Sequence, residues 1–261
     1  MTFGSDAGPH SWAVCGQVPA AGIALLPTAQ PCDAARVNAK LMAALLPGSD
    51  CSLPALDTLR EALGVAGAVR VQINVDDESV AQATLRLRTH EEPIRALVSV
   101  WTPNATAAAL VLAPVADVWL VEERRPIEPP TAPDGAPEPW LANMALLRRP
   151  AQMPHEDWKS YWLEQHTQIA IDTQDTHGYV QNLVLDTLTA HEGRDAHLVA
   201  AIVEELFHPQ AMTDPHVFYG SGGDDAELRR RMTLMYESVE KFGASRDLSL
   251  VPTTRRVYTQ A

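Results

Sequence analysis

After residue 140 the apolar positions switch period in an orderly way. Leu141 to Arg148 is a strand-length apolar run, and His155 to Ile171 carries Trp158, Trp162, His166 and Ile169 at helical spacing, within one arc of roughly 80°. Gly178 to Leu185 and Leu198 to Phe207 return to strand-like runs, Asp225 to Phe242 is periodic as a helix, and Leu248 to Thr259 reads as a final strand. Strand, helix, strand, strand, helix, strand is the ferredoxin-like order. The first half is less regular. Asp33 to Leu46 is dense in helix formers, with Asp33 as N-cap and Pro47-Gly48 as a stop, and predicts a helix. A weak strand at Ala21 to Leu26 precedes it. A short helix at Leu53 to Leu63, strands at Ala68 to Val75 and Ile94 to Trp101, a helix at Asn104 to Leu112 and a strand at Val115 to Glu123 follow.

Between the halves, residues 126–139 (PIEPPTAPDGAPEP) hold six prolines, which remove amide donors and favour extended backbone. They divide the chain into residues 1–125, a linker at 126–139, and residues 140–261. The first half reads as a degenerate copy of the second by element order and by the match of IRALVSVW to VAAIVEELF. The expected fold is α+β, two ferredoxin-like units packed as a pseudodimeric α+β barrel, with one chain supplying both halves and a homodimer also open.

Composition narrows the function. A chain of 261 residues with 46% hydrophobic content has ample material for a core. Its 20 basic and 33 acidic residues give a net charge of −13, which argues against nucleic acid as a partner. The basic run Arg229-Arg230-Arg231 follows Asp224, Asp225 and Glu227 in a helical pattern and reads as a solvated face. Cys15, Cys32 and Cys51 show no CxxC spacing, so neither a disulfide framework nor a thiolate metal site is indicated. No apolar run approaches the ~18 residues that span a bilayer, nor does the N-terminus look like a secretory signal; the expectation is a soluble, cytoplasmic protein without a membrane partner.

The W(x3)W(x3)H run at Trp158, Trp162 and His166, the Gly178-Tyr179 pair opening the next strand, and the strand VAAIVEELFHP from Val199 to Pro209 resemble the EthD family. The resemblance is strongest from Met144 to Phe207, about a quarter of the chain, and departs from the family where Ala200-Ala201 replaces its Asp-Gly. It implies ferredoxin-like units that form dimeric α+β barrels, with a characteristic histidine near the end of the first helix.

Candidate chemistry centres on His166, whose ordinary pKa of about 6.5 suits proton transfer near neutrality. The competing reading is a core histidine hydrogen-bonded to a backbone carbonyl. Trp158 and Trp162 read either as core or as walls for a flat aromatic ligand. Alternation puts Ala200, Ile202, Glu204 and Leu206 on one face of their strand, and the family's strand pattern implies that this face lines the barrel. Glu204 then either shares a proton or pairs with an arginine at the barrel end. Tyr179, by resemblance to related cyclases, is the candidate donor to an oxyanion, with Asn182 in reserve on the opposite face. His208 ends a strand, where it either lines a cavity mouth or is an exposed loop residue. The spacing of the histidines gives no metal motif, and neither a phosphate loop nor GxSxG is present.

These features combine into a cofactor-independent enzyme of lyase, decarboxylase or cyclase type. His166, Glu204 and Tyr179 would act on a small aromatic or polyketide-like molecule held by Trp158, Trp162, Asn182, Leu206 and His208 in an apolar barrel. Two other readings stand beside it: a non-catalytic accessory protein binding a small hydrophobic molecule in aromatic or ether degradation, and a haem protein ligated through His166.

Overall fold

The computed structural model describes residues 38–89, 93–130 and 133–260. The expected strand at Ala21 to Leu26 lies outside them, as do Cys15 and Cys32. The first half runs β1 (Ala39–Leu45), α1 (Leu53–Val65), β2 (Arg70–Val75), β3 (Ala96–Thr102), α2 (Ala105–Leu112) and β4 (Ala116–Ile127). In the second half, β5 (Leu141–Arg148) is followed by α3 (His155–Ser160), a π-helical turn over Tyr161–His166, and α4 (Thr167–Thr173). Then come β6 (Thr176–Thr189), β7 (Val199–Phe207), the short α5 (Pro215–Phe218), α6 (Asp225–Lys241) and β8 (Leu248–Thr259).

All eight strands pair antiparallel in one closed barrel of order β1-β3-β2-β8-β5-β7-β6-β4. Each half contributes the ferredoxin-like order, β4-β1-β3-β2 and β8-β5-β7-β6. The β2–β8 and β4–β6 ladders join them, with Arg70 opposite Thr259 and Glu123 opposite Asn182. Closure leaves no unpaired edge. Strands β1, β2, β5 and β6 therefore start at one mouth of the barrel, where β3, β4, β7 and β8 end.

β1 corrects the sequence reading, which places a helix at Asp33 to Leu46. Ala, Lys, Leu and Met favour a helix by a few tenths of a kcal/mol each, yet six of the seven residues of β1 are buried. Leu41, Ala43 and Leu45 pack beneath α1 and α2, while Met42 and Ala44 point into the barrel. A strand covered on both faces has no polar alternation to betray it.

Two layers of core follow from the same alternation. Outside the second sheet, Trp158, Trp162, Ala170, Tyr179, Leu183, Ala201, Val203 and Phe242 form the helix–sheet core. Inside, the lower part of the barrel is filled by Met42, Leu97, Trp119, Val121, Met144, Leu146, Ile202 and Val251. That mouth is closed by the β6–β7 connection: Trp119 Nε1 donates to Ala196 O at 2.9 Å, and buried Asp117 accepts from the His191 amide and from Arg194 Nε. The apolar hollow expected from the sequence is thus packed with side chains at this end.

The π turn also shifts a sequence expectation. The Thr167 amide donates to Trp162 O, five residues back, so one extra residue enters the turn. Trp158, Trp162 and His166 stay on the buried stripe, but the next buried position becomes Ala170, and Ile169 is only half-buried. No helix among the described residues is long and apolar enough to cross a membrane.

Candidate functional site

At the open mouth, the inward positions change from apolar to charged. β1 supplies Lys40, β2 Arg70, Gln72 and Asn74, β3 Trp101, β4 Glu123, β7 Glu204, and β8 Thr253 and Arg255. Both sheets therefore contribute.

Glu204 lies inside the barrel, 3% exposed. Its Oε1 accepts from Gln72 Nε2 at 2.7 Å and Asn74 Nδ2 at 3.0 Å, and lies 3.1 Å from Arg255 Nε. That last contact is an ion pair without an aligned hydrogen bond, because the Arg255 Nε–H finds no acceptor in line. Arg255 Nη1 meanwhile donates to Glu138 Oε1. One guanidinium is thus held between two buried carboxylates, with side-chain exposures of 1% for Glu138 and 4% for Glu204.

Glu138 comes from the proline-rich segment. The sequence reading treats that segment as a linker, but the Gly135 and Glu138 amides donate to Val257 O and Arg255 O, which pins it along β8. Burial pushes the Glu138 carboxyl up from its ordinary value despite Arg255, and Glu204 nearby adds to the rise. Its Oε2 is buried without a hydrogen-bond partner.

Beside this group stands a second one. Lys40 Nζ pairs with Glu123 Oε1 at 3.0 Å, and Glu123 Oε2 accepts from Trp101 Nε1 at 2.9 Å. Burial lowers the Lys40 ammonium to about 8, outweighing the attraction of Glu123 and Glu204. For Glu123, burial works upward, but the Lys40 charge and bonds from Arg125, Trp101 and Lys40 hold the carboxyl at about 2. At neutral pH both are charged. Lys40 Nζ and the Arg70 guanidinium, on the strands flanking β3, each lie 4.5 Å from the Trp101 ring centroid. Over the mouth is a cavity of about 290 Å³, lined by Arg70, Arg255, Glu138, Pro129, Val257 and neighbouring residues.

The residues singled out from the sequence divide between two faces of the same sheet. His166 lies outside the barrel, 8% exposed, its Nδ1 2.9 Å from Ser238 Oγ and its ring centroid 4.6 Å from that of Phe242. Burial lowers its imidazole to about 4. Tyr179 is on the same outer face, its hydroxyl accepting from Gln181 Nε2 at 3.3 Å, and burial pushes its phenol well above the ordinary value. Trp158 and Trp162 stack there at 5.3 Å between centroids, with Trp158 Nε1 donating to Phe242 O. His166 and Tyr179 are therefore separated from Glu204 by the sheet itself, and the three-residue relay is not assembled. A haem on His166 would have to displace Phe242.

Asn182 and Leu206 do lie on the barrel side. Asn182 Nδ2 donates to Ile202 O at 2.9 Å, leaving Oδ1 unpartnered. Leu206 is fully buried against Gly178. His208 is exposed and accepts from the Gln210 amide as a turn cap. Sequence reasoning missed Glu138, Lys40, Arg70 and Arg255. A lysine heading the apolar run KLMAALL and the arginine pair in LVPTTRRVYT were the available signals.

No family model matches the chain, and no curated protein does, so the EthD resemblance rests on its motif residues. In structure the chain is similar to an anthrone oxidase-like protein, with a TM-score of 0.51 and 7% identity over 87% of this chain and 94% of that one. It is also similar to a candidate monooxygenase from Lactobacillus acidophilus (TM-score 0.43, 9% identity, 86% of this chain and 97% of that one). Another from Fusobacterium nucleatum has a TM-score of 0.44 and 5% identity over 86% and 95% of the two chains. At 7% identity the likeness to the anthrone oxidase-like protein speaks to the fold alone.

Proposed function

We propose that the chain is a small-molecule enzyme that performs acid–base chemistry at the charged mouth of its barrel, with Glu138 as the proton carrier. One observation carries this reading. Glu138 lines the cavity, is fixed through one oxygen to Arg255, keeps its other oxygen buried and unpartnered, and is pushed upward by burial. A carboxyl with an elevated pKa and a spare oxygen is suited to taking and returning a proton.

Stability gives no reason for such a group. A buried ion pair contributes little beyond what well-packed apolar side chains of the same volume would supply. Here three buried charges, from the proline-rich segment and from two strands of the second half, are retained at the mouth. Glu204 acts as a positioning residue: it holds Arg255, which holds Glu138.

The chemistry that fits is proton abstraction next to a carbonyl or from a phenol. In the first case the substrate C–H bond breaks, its electron pair moves to the carbonyl oxygen, and the proton goes to Glu138 Oε2. The arginines offset the charge of the resulting enolate. The lyase and cyclase steps expected from the sequence belong to this class, carried by different residues.

The test is hydrogen exchange. The purified protein is incubated in D2O with a panel of enolisable and phenolic aromatic compounds, anthrone among them, and mass spectrometry follows deuterium uptake and product. Exchange that falls at least about tenfold in Glu138→Gln is expected. Saturable binding with no exchange or turnover across the panel, or an equal rate in Glu138→Gln, rejects catalysis by this group and leaves a binding protein.

A further inference from the structure

Among the described residues, one charged side chain at the mouth has no hydrogen-bonding partner. Every carboxylate lining the cavity is engaged: Glu138 with Arg255, Glu128 Oε1 with Arg125 Nη1 at 2.5 Å, and Asp134 Oδ1 with the Thr259 amide at 2.6 Å. Arg70 differs. It lines the same cavity and is half-buried, its Nε is sealed from solvent without an acceptor, and among the described residues no oxygen hydrogen-bonds any of its nitrogens. Its plane is held in place by Trp101, 4.5 Å away. Burial works against its charge, and Arg125 and Arg255 add repulsion that Glu123 and Glu204 only partly offset. The sealed Nε–H is a donor that the folded chain leaves unbonded, while the rest of the half-buried guanidinium borders the cavity.

From this we infer that Arg70 is the anchor for the anionic end of the ligand, and that the ligand is a small organic monoanion, a carboxylate, whose carbon skeleton lies toward Pro129 and Val257. The guanidinium fork matches a carboxylate with two parallel N–H···O bonds. The engaged carboxylates around it make a dianion such as phosphate a poor guest. Pro129 and Val257 offer apolar wall. The inference deepens the reading of the mouth as a small-molecule acid–base site, since an anchored carboxylate would hold the reacting carbon beside Glu138.

The probes are benzoate, its neutral isostere benzamide, and inorganic phosphate, followed by calorimetry and thermal unfolding of the full chain. Wild type is expected to bind benzoate and to be stabilised by it, with benzamide and phosphate having much weaker effects. Arg70→Gln should weaken benzoate binding by about tenfold to a hundredfold. Arg70→Lys should retain part of the affinity. Without ligand, Arg70→Gln should melt at or above the wild-type temperature, because no hydrogen bond is lost and relief from burial and from the repulsion of Arg125 and Arg255 offsets the lost contact with Trp101; a purely structural arginine would lower it.

Equal binding of benzoate and benzamide would overturn the inference. So would wild-type affinity in Arg70→Gln, a lower melting temperature of the ligand-free variant, or no Arg70-dependent benzoate binding at millimolar concentration. The acid–base reading fails separately: Glu138→Gln that binds benzoate normally and keeps full exchange activity removes that reading while the anchor stands.

Discussion

Replacing Arg255 with Met isolates what the buried charges cost. Arg255 is 3% exposed and holds two carboxylates almost as deeply buried. At 3.1 Å and an effective dielectric constant of about 20, the Glu204 contact alone is worth about 5 kcal/mol of Coulomb energy. Much of that is offset by the desolvation of the guanidinium, which the variant no longer bears. Leaving buried carboxylates without their cation typically costs about 3–5 kcal/mol. With a urea slope of about 2–3 kcal/mol/M for a chain of this size, the unfolding midpoint should fall by about 1–2.5 M at pH 8.

The deficit should depend on pH. Glu138 already stands above its unfolded value through burial, and loss of Arg255 raises it further. A carboxyl raised in the folded state contributes fully below its unfolded pKa of about 4.5 and loses that contribution as pH rises through the folded value. The variant should therefore come close to wild type near pH 4 and fall behind at pH 8. The triple variant Arg255→Met, Glu138→Gln, Glu204→Gln should recover most of the loss. A single-variant deficit below about 1 kcal/mol, or one equal at both pH values, would show that these groups are not a buried charge cluster.

Two other predictions test the surroundings of the mouth. His166, lowered by burial to about 4 from 6.5, is neutral when folded and takes up a proton on unfolding between those values. Its contribution is complete above pH 6.5 and is lost as pH falls toward 4, about 3 kcal/mol in all. His166→Phe should flatten that part of the stability profile in urea titrations, with hydrogen-exchange activity at the mouth retained. Gly178→Ala would put a methyl 3.0 Å from Pro129 Cα and 2.9 Å from Leu206 Cδ1. It should cost about 1–3 kcal/mol by overpacking and weaken benzoate affinity by shifting Pro129, which calorimetry would register.

Much of the fold was legible because the second half states its period clearly: the expected strand at Leu141 to Arg148 agrees with β5 to the residue. β1 was not legible, since two covered faces erase the alternation that marks a strand. Within the site, alternation along β7 sets Glu204 on the face opposite Glu205, and only the resemblance to the family's strand pattern pointed that face into the barrel; with that assignment, its separation from His166 could be read as well. A helix covers the outer face of its sheet, so an imidazole on that helix's apolar stripe meets the odd-numbered positions of β7 and not position 204. Glu138 gave no periodic signal, because its place depends on how a proline-rich segment is hydrogen-bonded to β8. Arg70 could be seen as a charge beginning a strand, but only the completed barrel shows that its neighbours leave it without an acceptor.

The strand order of the first half, β4-β1-β3-β2, repeats in the second as β8-β5-β7-β6, and in a two-fold dimer of identical subunits every residue at the mouth would stand opposite its own duplicate. Two copies of Arg70 would repel one another there, and two copies of Glu204 would compete for the same cations. A single chain that carries both halves is not bound by that restriction. One half is free to specialise as the cationic, tryptophan-bearing side while the other supplies the glutamate that orients Arg255, producing a lopsided chamber that can grip two chemically different ends of one molecule.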